Sequence, residues 1–480
     1  MITPPRISKY RSRNKCQVRF ARNSPCGCCA QKVTETYFSY FSAIPNVLLW
    51  AAIAATLASS QIAVAEDWPN WMGPRRDNTW RADGILQRFP KSGPNIVWRT
   101  PVSGGYAGPA VADGKLFLTD YVTGDDVQIP NLNRQQFTGI ERVFCLDIAN
   151  GRELWKHEYP VKYTVSYPSG PRCTPAVDQQ RVYFLGAEGM LLCLHTETGQ
   201  VLWKHDLPQQ YQTKAALWGY AGHPLVDGDK LICTAGGQGS HTVAFNKVTG
   251  AEIWRYGTAT EQGYSPPSIM EFAGKRQLIL MSPDWIASVN PETGQPYWTE
   301  KYEANNGSII MQPVRSGRFL YVGGFNKRSL MLELDEHQPA AKVLWRDKAK
   351  MAIAPVNVQP QVDDDVMYGF DTDGDFMAVQ FPNGNRVWSS YEPVGQRSAN
   401  SATAFIVRHQ ERYFLFAENG DLIIGQLSKS GFTEIDRANI IQPSNRAFGR
   451  RVVWCAPALA NQRLYVRNDK ECICVDLSAQ

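Results

Sequence analysis

The sequence predicts an all-β protein, an eight-bladed β-propeller with four-stranded blades. Three observations predict it. Between Val97 and Leu477 one pattern recurs eight times: an apolar run, a turn, a second apolar run, a Gly-centred turn, and an aliphatic stretch closing on Trp. Each unit holds four short alternating runs over roughly 45 residues, the size and strand count of a propeller blade. One Trp strand, around Trp98, precedes any complete unit, while the last unit ends at VDLSAQ without one. Residues 472–477 are therefore expected to pair with residues 96–100, closing the ring and leaving no open sheet edge.

Residues 1–65 stand apart from this pattern. They carry eight Lys or Arg against one acid, Glu35, then a 12-residue apolar run, VLLWAAIAATLA (Val47 to Ala58), then AVA (Ala63 to Ala65) before Glu66. A basic region, a hydrophobic region and a small-x-small site read as a signal peptide cut after Ala65, and so as an exported, periplasmic or secreted chain. An uncleaved anchor is the rival reading. The run is shorter than the ~18 apolar residues a spanning helix needs, and Ser59, Ser60 and Gln61 interrupt its extension. The remaining chain reads as free of transmembrane segments.

Residues 66–95 have no period and are rich in Pro, Gly, Trp and Arg. They read as an ordered N-terminal strap, because Trp68, Trp71 and Trp80 would be poor choices for open solvent. The propeller then takes residues 96–480. Its units open on Pro-marked strands such as AGPAVADGKLFL (from Ala107), CTPAVDQQRVYF (from Cys173) and CAPALANQRLYV (from Cys455); the seventh, near Ala404, lacks the Pro. The closing halves are clearest as LDIANGRELW, LHTETGQVLW, FNKVTGAEIW, VNPETGQPYW and VQFPNGNRVW, with Gly four residues before Trp each time. The Gly supplies the positive φ of a tight hairpin. Trp98, Trp155, Trp203, Trp254, Trp298, Trp345 and Trp388 are expected to wedge against adjacent blades as structural residues. The unit closing on Trp345 has lost its Gly, and Ile435 stands where the seventh unit would have Trp. A longer insertion, Tyr121 to Ile140, interrupts the first unit, and loops of that length are often functional or mobile.

The basic character of the chain belongs to residues 1–65. Removing their eight bases and one acid from the chain's 50 and 45 leaves 42 against 44. No Lys/Arg stripe remains, so nucleic acid is not an expected partner. Seven of eleven Cys lie beyond residue 65, an odd number. Cys145, Cys193 and Cys474 share a repeat slot filled elsewhere by Ala244, Ser288 and Ala378, and read as packing. Cys173 and Cys455 belong to units separated by the first blade, which makes a disulfide between them doubtful.

These residues resemble the propeller superfamily with quinoprotein-type (PQQ-like) repeats, whose Gly-x-x-x-Trp ending is the tryptophan-docking motif. WPNWMGPRRD, GGYAGPAVADGKLFLTD, SYPSGPRCTPAVD and AGHPLVDGDKLI look like secreted propellers of planctomycete-type bacteria. The resemblance implies one of two kinds of relative. One is the outer-membrane barrel-assembly lipoprotein, a binding scaffold. The other is the quinoprotein alcohol dehydrogenase class, which holds pyrroloquinoline quinone and Ca²⁺ on the axis beside an Asp base, commonly under a vicinal-Cys disulfide. The one adjacent Cys pair, Cys28 and Cys29, lies within residues 1–65. Asp371, Asp373 and Asp375 in DTDGD do not follow the calcium-loop order and read as a hairpin turn.

In propellers, ligand contacts usually come from loops entering the innermost strands. Those loops offer Tyr163, Tyr167, Arg172, Trp218, Tyr220, His223, Tyr264, Asn357, Arg397, Asn400, Arg446, Arg450 and Trp454, rich in the aromatic and Arg types that interface hot spots favour. None of the seven His has zinc-site spacing. The sequence thus reads as an exported, monomeric scaffold that binds an envelope protein or a glycan through its rim or axial channel, with no cofactor expected. The alternative is a PQQ- and calcium-dependent dehydrogenase.

Overall fold

The computed structural model describes residues 66–347 and 352–479, so the expected leader, residues 1–65, lies outside the described residues. Eight four-stranded antiparallel sheets stand around one axis as an eight-bladed β-propeller. Seven sheets take their four strands in chain order. The eighth runs Ile96–Pro101, Glu471–Asp476, Arg463–Arg467, Ala458–Ala460 from rim to axis. In it Ile96 faces Val475, Trp98 faces Cys474 and Thr100 faces Cys472, so the first strand of the ring pairs with the last.

The innermost strands are short, as in Ala110–Ala112, Ala176–Asp178 and Val314–Ser316. The two middle strands of each blade are buried almost throughout, whereas an outermost strand such as Val201–Asp206 alternates half-buried and exposed residues. The alternation expected of all four runs thus survives only at the rim. Middle strands are covered by a neighbouring blade on both faces, and a strand covered on both faces needs continuous apolar sequence, such as VYFL (Val182 to Leu185). Small residues let blades approach: Cys145, Cys193, Ala244, Ser288, Ala378 and Cys474 have no exposed surface. All seven cysteines beyond residue 65 are buried thiols without disulfide partners.

The Gly and Trp of one unit do not serve each other. The indole of Trp155, at the end of the first blade, lies on the Gly-centred turn of the second, where its Nε1 donates to Thr196 O at 2.7 Å. A Cβ on Gly199 would stand 2.5 Å from that ring. The same relation links Trp98 to Gly151, Trp203 to Gly250, Trp254 to Gly294 and Trp345 to Gly384. Each of these Gly residues therefore answers two demands, a φ near +70° and room for the preceding blade's indole.

Two departures from the pattern become intelligible. Trp298 faces the fifth blade, whose turn lacks Gly, and its buried Nε1 has no acceptor; the other six indoles of the series each donate to a carbonyl of the next blade. Ile435 replaces Trp in the seventh blade because the eighth has no such turn: its third and outermost strands come from opposite ends of the described chain. The tail of the strap occupies that corner, with Arg88 Nη1 donating to Ile435 O at 2.7 Å and Phe89 N to Asp436 Oδ2 at 2.8 Å.

Candidate functional site

The strap crosses the axis and bonds to every blade in order. Trp68 pairs with Val111 of the first blade, and Val177 N of the second donates to Pro69 O at 2.7 Å. Arg76 Nη1 donates to Pro224 O at 2.9 Å and Nη2 to Pro267 O at 3.4 Å, at the third and fourth blades. Gln312 of the fifth donates to Arg76 O, and Gln361 of the sixth to Asp77 O. Arg408 of the seventh bonds on both sides, to Asn78 O and from Trp80 N, both at 2.8 Å. Leu86 N reaches Leu477 O of the eighth. The strap whose tryptophans marked it as ordered is thus a plug across the axial channel.

Above the plug, on the face where chains enter the innermost strands, lies a funnel of about 270 Å³. Trp71, Met72 and Asn78 of the strap line it together with residues from the entry loops of all eight blades. Trp71 stacks on His223 with ring centroids 4.5 Å apart and planes 6° from parallel. His223 Nδ1 accepts from Thr174 N at 3.0 Å, which fixes a neutral imidazole. Burial, and secondarily the Arg76 charge, holds its pKa well below the ordinary histidine value. Two inserted segments reach the rim: the Tyr121–Ile140 insertion with exposed Leu132, and the hairpin of Asn445–Ala447 with Arg450–Val452, whose tip is exposed Phe448.

Of the residues named from the sequence, Tyr167, Arg172, Trp218, His223, Tyr264, Asn357 and Trp454 line the funnel. Arg172 is consumed in holding the loops: it donates to the carbonyls of Trp218 (2.7 Å), Ser166 (2.9 Å), Tyr167 (2.6 Å) and Gly170, and lies over Tyr106. Trp218 Nε1 donates to Asn131 Oδ1 at 2.9 Å, tying the insertion to the third blade. Tyr167 meets Trp454 edge-on at 5.9 Å. The others sit elsewhere. Tyr220 is a core residue whose hydroxyl donates to Ala235 O, and Tyr163 is buried against Tyr121 with its hydroxyl on Glu141. Both side chains turn into the core, each with its hydroxyl on a buried acceptor. Arg397, Asn400 and Arg446 are exposed outside the funnel lining. Arg450 stands behind the wall, paired with Glu418 at 2.6 Å.

Sequence reading missed the residues that hold this wall. Glu418, in the turn ENGD, accepts from Arg450 and from Trp454 Nε1 at 2.8 Å. Glu141, fully buried, accepts from the Tyr159 and Tyr163 hydroxyls and from Ala187 N, and burial raises its carboxyl pKa. No local spacing announces either, because their partners lie 18 to 46 residues away. Trp71, Tyr106, Thr174 and Phe448 also line the funnel and were visible only as strap or loop residues. DTDGD is a hairpin turn in which Asp371 N donates to Asp375 O, with Arg386 3.2 Å from Asp375 and 3.8 Å from Asp371. Among the described residues, no helix is long and apolar enough to cross a membrane.

The chain is similar to known proteins across the ring. The family model described as outer membrane protein assembly factor BamB matches residues 139–389 and 284–479. The crystal structure of BamB from Moraxella catarrhalis is 15% identical, with 79% of this chain and 97% of that chain covered and a TM-score of 0.48. Quinohemoprotein alcohol dehydrogenase from Comamonas testosteroni is 12% identical, with 86% and 81% covered and a TM-score of 0.54, a likeness of fold alone. No curated protein matches the chain.

Proposed function

We propose a partner-binding role for this chain, which belongs to the family described as outer membrane protein assembly factor BamB. The ring supplies stiffness, and the funnel face supplies a surface for an envelope protein or a glycan. One observation carries the reading: the Tyr121–Ile140 insertion and the hairpin with its tip at Phe448 both reach the rim of the same funnel, and each exposes an apolar side chain there, Leu132 and Phe448. Exposed apolar residues gathered at one concave surface are a mark of interaction sites.

The dehydrogenase alternative is weakened by the donor set. Pyrroloquinoline quinone carries carboxylates that need free cations, and Ca²⁺ needs oxygen ligands that usually include carboxylates. Among the described residues the funnel lining holds no Asp or Glu, and its Arg172 is spent on carbonyls. The residues present do not fit that cofactor, and no redox step is assigned.

Export with cleavage after Ala65 and action as a monomer in the envelope complete the proposal. The test is capture from envelope extract with wild type and Trp218→Ala. A specific partner retained by wild type and lost by the variant supports the reading. Quinone-type absorbance with Ca²⁺-dependent alcohol oxidation by the purified protein would overturn it, and a mature mass that does not begin at Glu66 would overturn the cleavage site.

A further inference from the structure

Two polar groups on the funnel wall have no partner. Thr174 is 97% buried by its 3% exposure, yet its Oγ1 makes no hydrogen bond, and the buried Nδ2 of Asn357 makes none. They come from the second and the sixth blade, and both line the funnel that Trp71 floors. The groups beside them are partnered: Thr174 N donates to His223 Nδ1, and Gln359 exchanges two hydrogen bonds with the Gln312 backbone. A buried hydroxyl and a buried amide left unpaired cost stability, and these two, unlike the other unpaired buried side-chain groups of the described residues, belong to residues that line the funnel.

The rest of the lining narrows what can use them. It is aromatic and amide-rich, with Trp71, Tyr167, Trp218, Tyr264 and Trp454 beside Asn131 and Asn306. Among the described residues it offers no carboxylate, its arginine is committed to carbonyls, and its histidine is neutral. The strap makes it a dead end, so whatever enters does so by an end or a bend. A peptide terminus would bring a charge to a wall whose described residues offer no free opposite charge, at a substantial desolvation cost. The end of a neutral glycan brings none. Its C–H faces suit aromatic rings, and its hydroxyls both donate and accept, as Thr174 Oγ1 and Asn357 Nδ2 require. A space of about 270 Å³ suits a short terminal unit rather than a polymer lying lengthwise.

We propose that the funnel binds the neutral end of a glycan, held by Thr174 and Asn357 against the aromatic wall. This rests on the reading of the funnel face as the binding surface and names the ligand class for it.

The test uses the purified chain, residues 66–480, with neutral hexose trisaccharides of differing linkage and the same trisaccharides capped by a uronic acid, read by calorimetry and tryptophan fluorescence. At least one neutral trisaccharide is expected to bind, with its uronic-capped counterpart weaker. Thr174→Val and Asn357→Ala should each weaken it about tenfold, the loss of one hydrogen bond at ~1.4 kcal/mol, while exposed Arg397→Ala leaves it unchanged. Thermal melts of the variants separate lost contact from lost folding. Wild-type affinity in both folded variants overturns the proposal. So does the absence of binding across the panel at millimolar concentration. If, in that last case, Trp218→Ala still loses a protein captured by wild type, the glycan assignment falls and the binding surface stands. If Trp218→Ala changes no capture either, both fall.

Discussion

The junction between the first and second blades and the junction between the fourth and fifth carry the same indole in the same place. At the first, Trp155 rests on Gly199 and donates to Thr196 O. At the second, Trp298 meets a turn without Gly, and its N–H is left unpaired. The difference teaches that the repeat unit written along the chain is not the unit that packs. Gly and Trp four residues apart belong to two different contacts, and the energetic pair is a Trp with the Gly of the following blade.

The comparison breaks most visibly at the indole itself. Trp155→Ala is expected to lower stability by about 3 to 5 kcal/mol, measured as the denaturant midpoint, and a midpoint within error of wild type would show that the ring is not wedged between blades. A somewhat smaller loss is expected from Gly199→Ala, about 2 to 4 kcal/mol, since it adds overpacking to a left-handed backbone. At Gly228, where φ is +59° and nothing lies within 4 Å of an added Cβ, the same change should cost only the backbone strain, about 1 to 2 kcal/mol. In a Trp155→Ala background the cost at Gly199 should fall to that of Gly228, and equal costs in both backgrounds would dissolve the proposed pair. The smallest effect distinguishes the two junctions directly. Trp155→Phe gives up a made hydrogen bond and Trp298→Phe an unmade one, so the first should cost about 1 kcal/mol more than the second. Identical costs would mean that the orphaned N–H of Trp298 finds an acceptor in solution.

The sequence made the blades legible because everything that defines them is local: turn residues, apolar runs and one large ring per unit. Closure was legible too, since the unpaired Trp98 strand had one place to go. What local pattern could not supply was direction across the axis. Trp71 was readable as buried, yet its stacking partner His223 lies far along the chain, and the plug is assembled from bonds to eight blades. The entry loops were the right region, but Tyr163 and Tyr220 turn into the core and Arg397 turns away, because a loop has no period to fix where a side chain points. Glu418 and Glu141 passed unnoticed for a related reason. Each looked like an ordinary hairpin or strand acid until the loop or tyrosines it holds came into view.

The seam at Ile96–Pro101 and Glu471–Asp476 also sets an order of events during synthesis. The strand carrying Trp98 leaves the ribosome at the start of the ring, and its partner follows only after the seven other blades have been made. Leu86 and Gly84 of the strap likewise wait for Leu477 and Ala479. Until then the nascent ring is an arc with two exposed sheet edges, and the plug lacks its final anchor. Such edges attract other strands and invite aggregation. A molecule clipped before residue 471 would keep seven blades and still be left in that open condition, so degradation by an added protease should discriminate sharply between chains with and without residues 471–476.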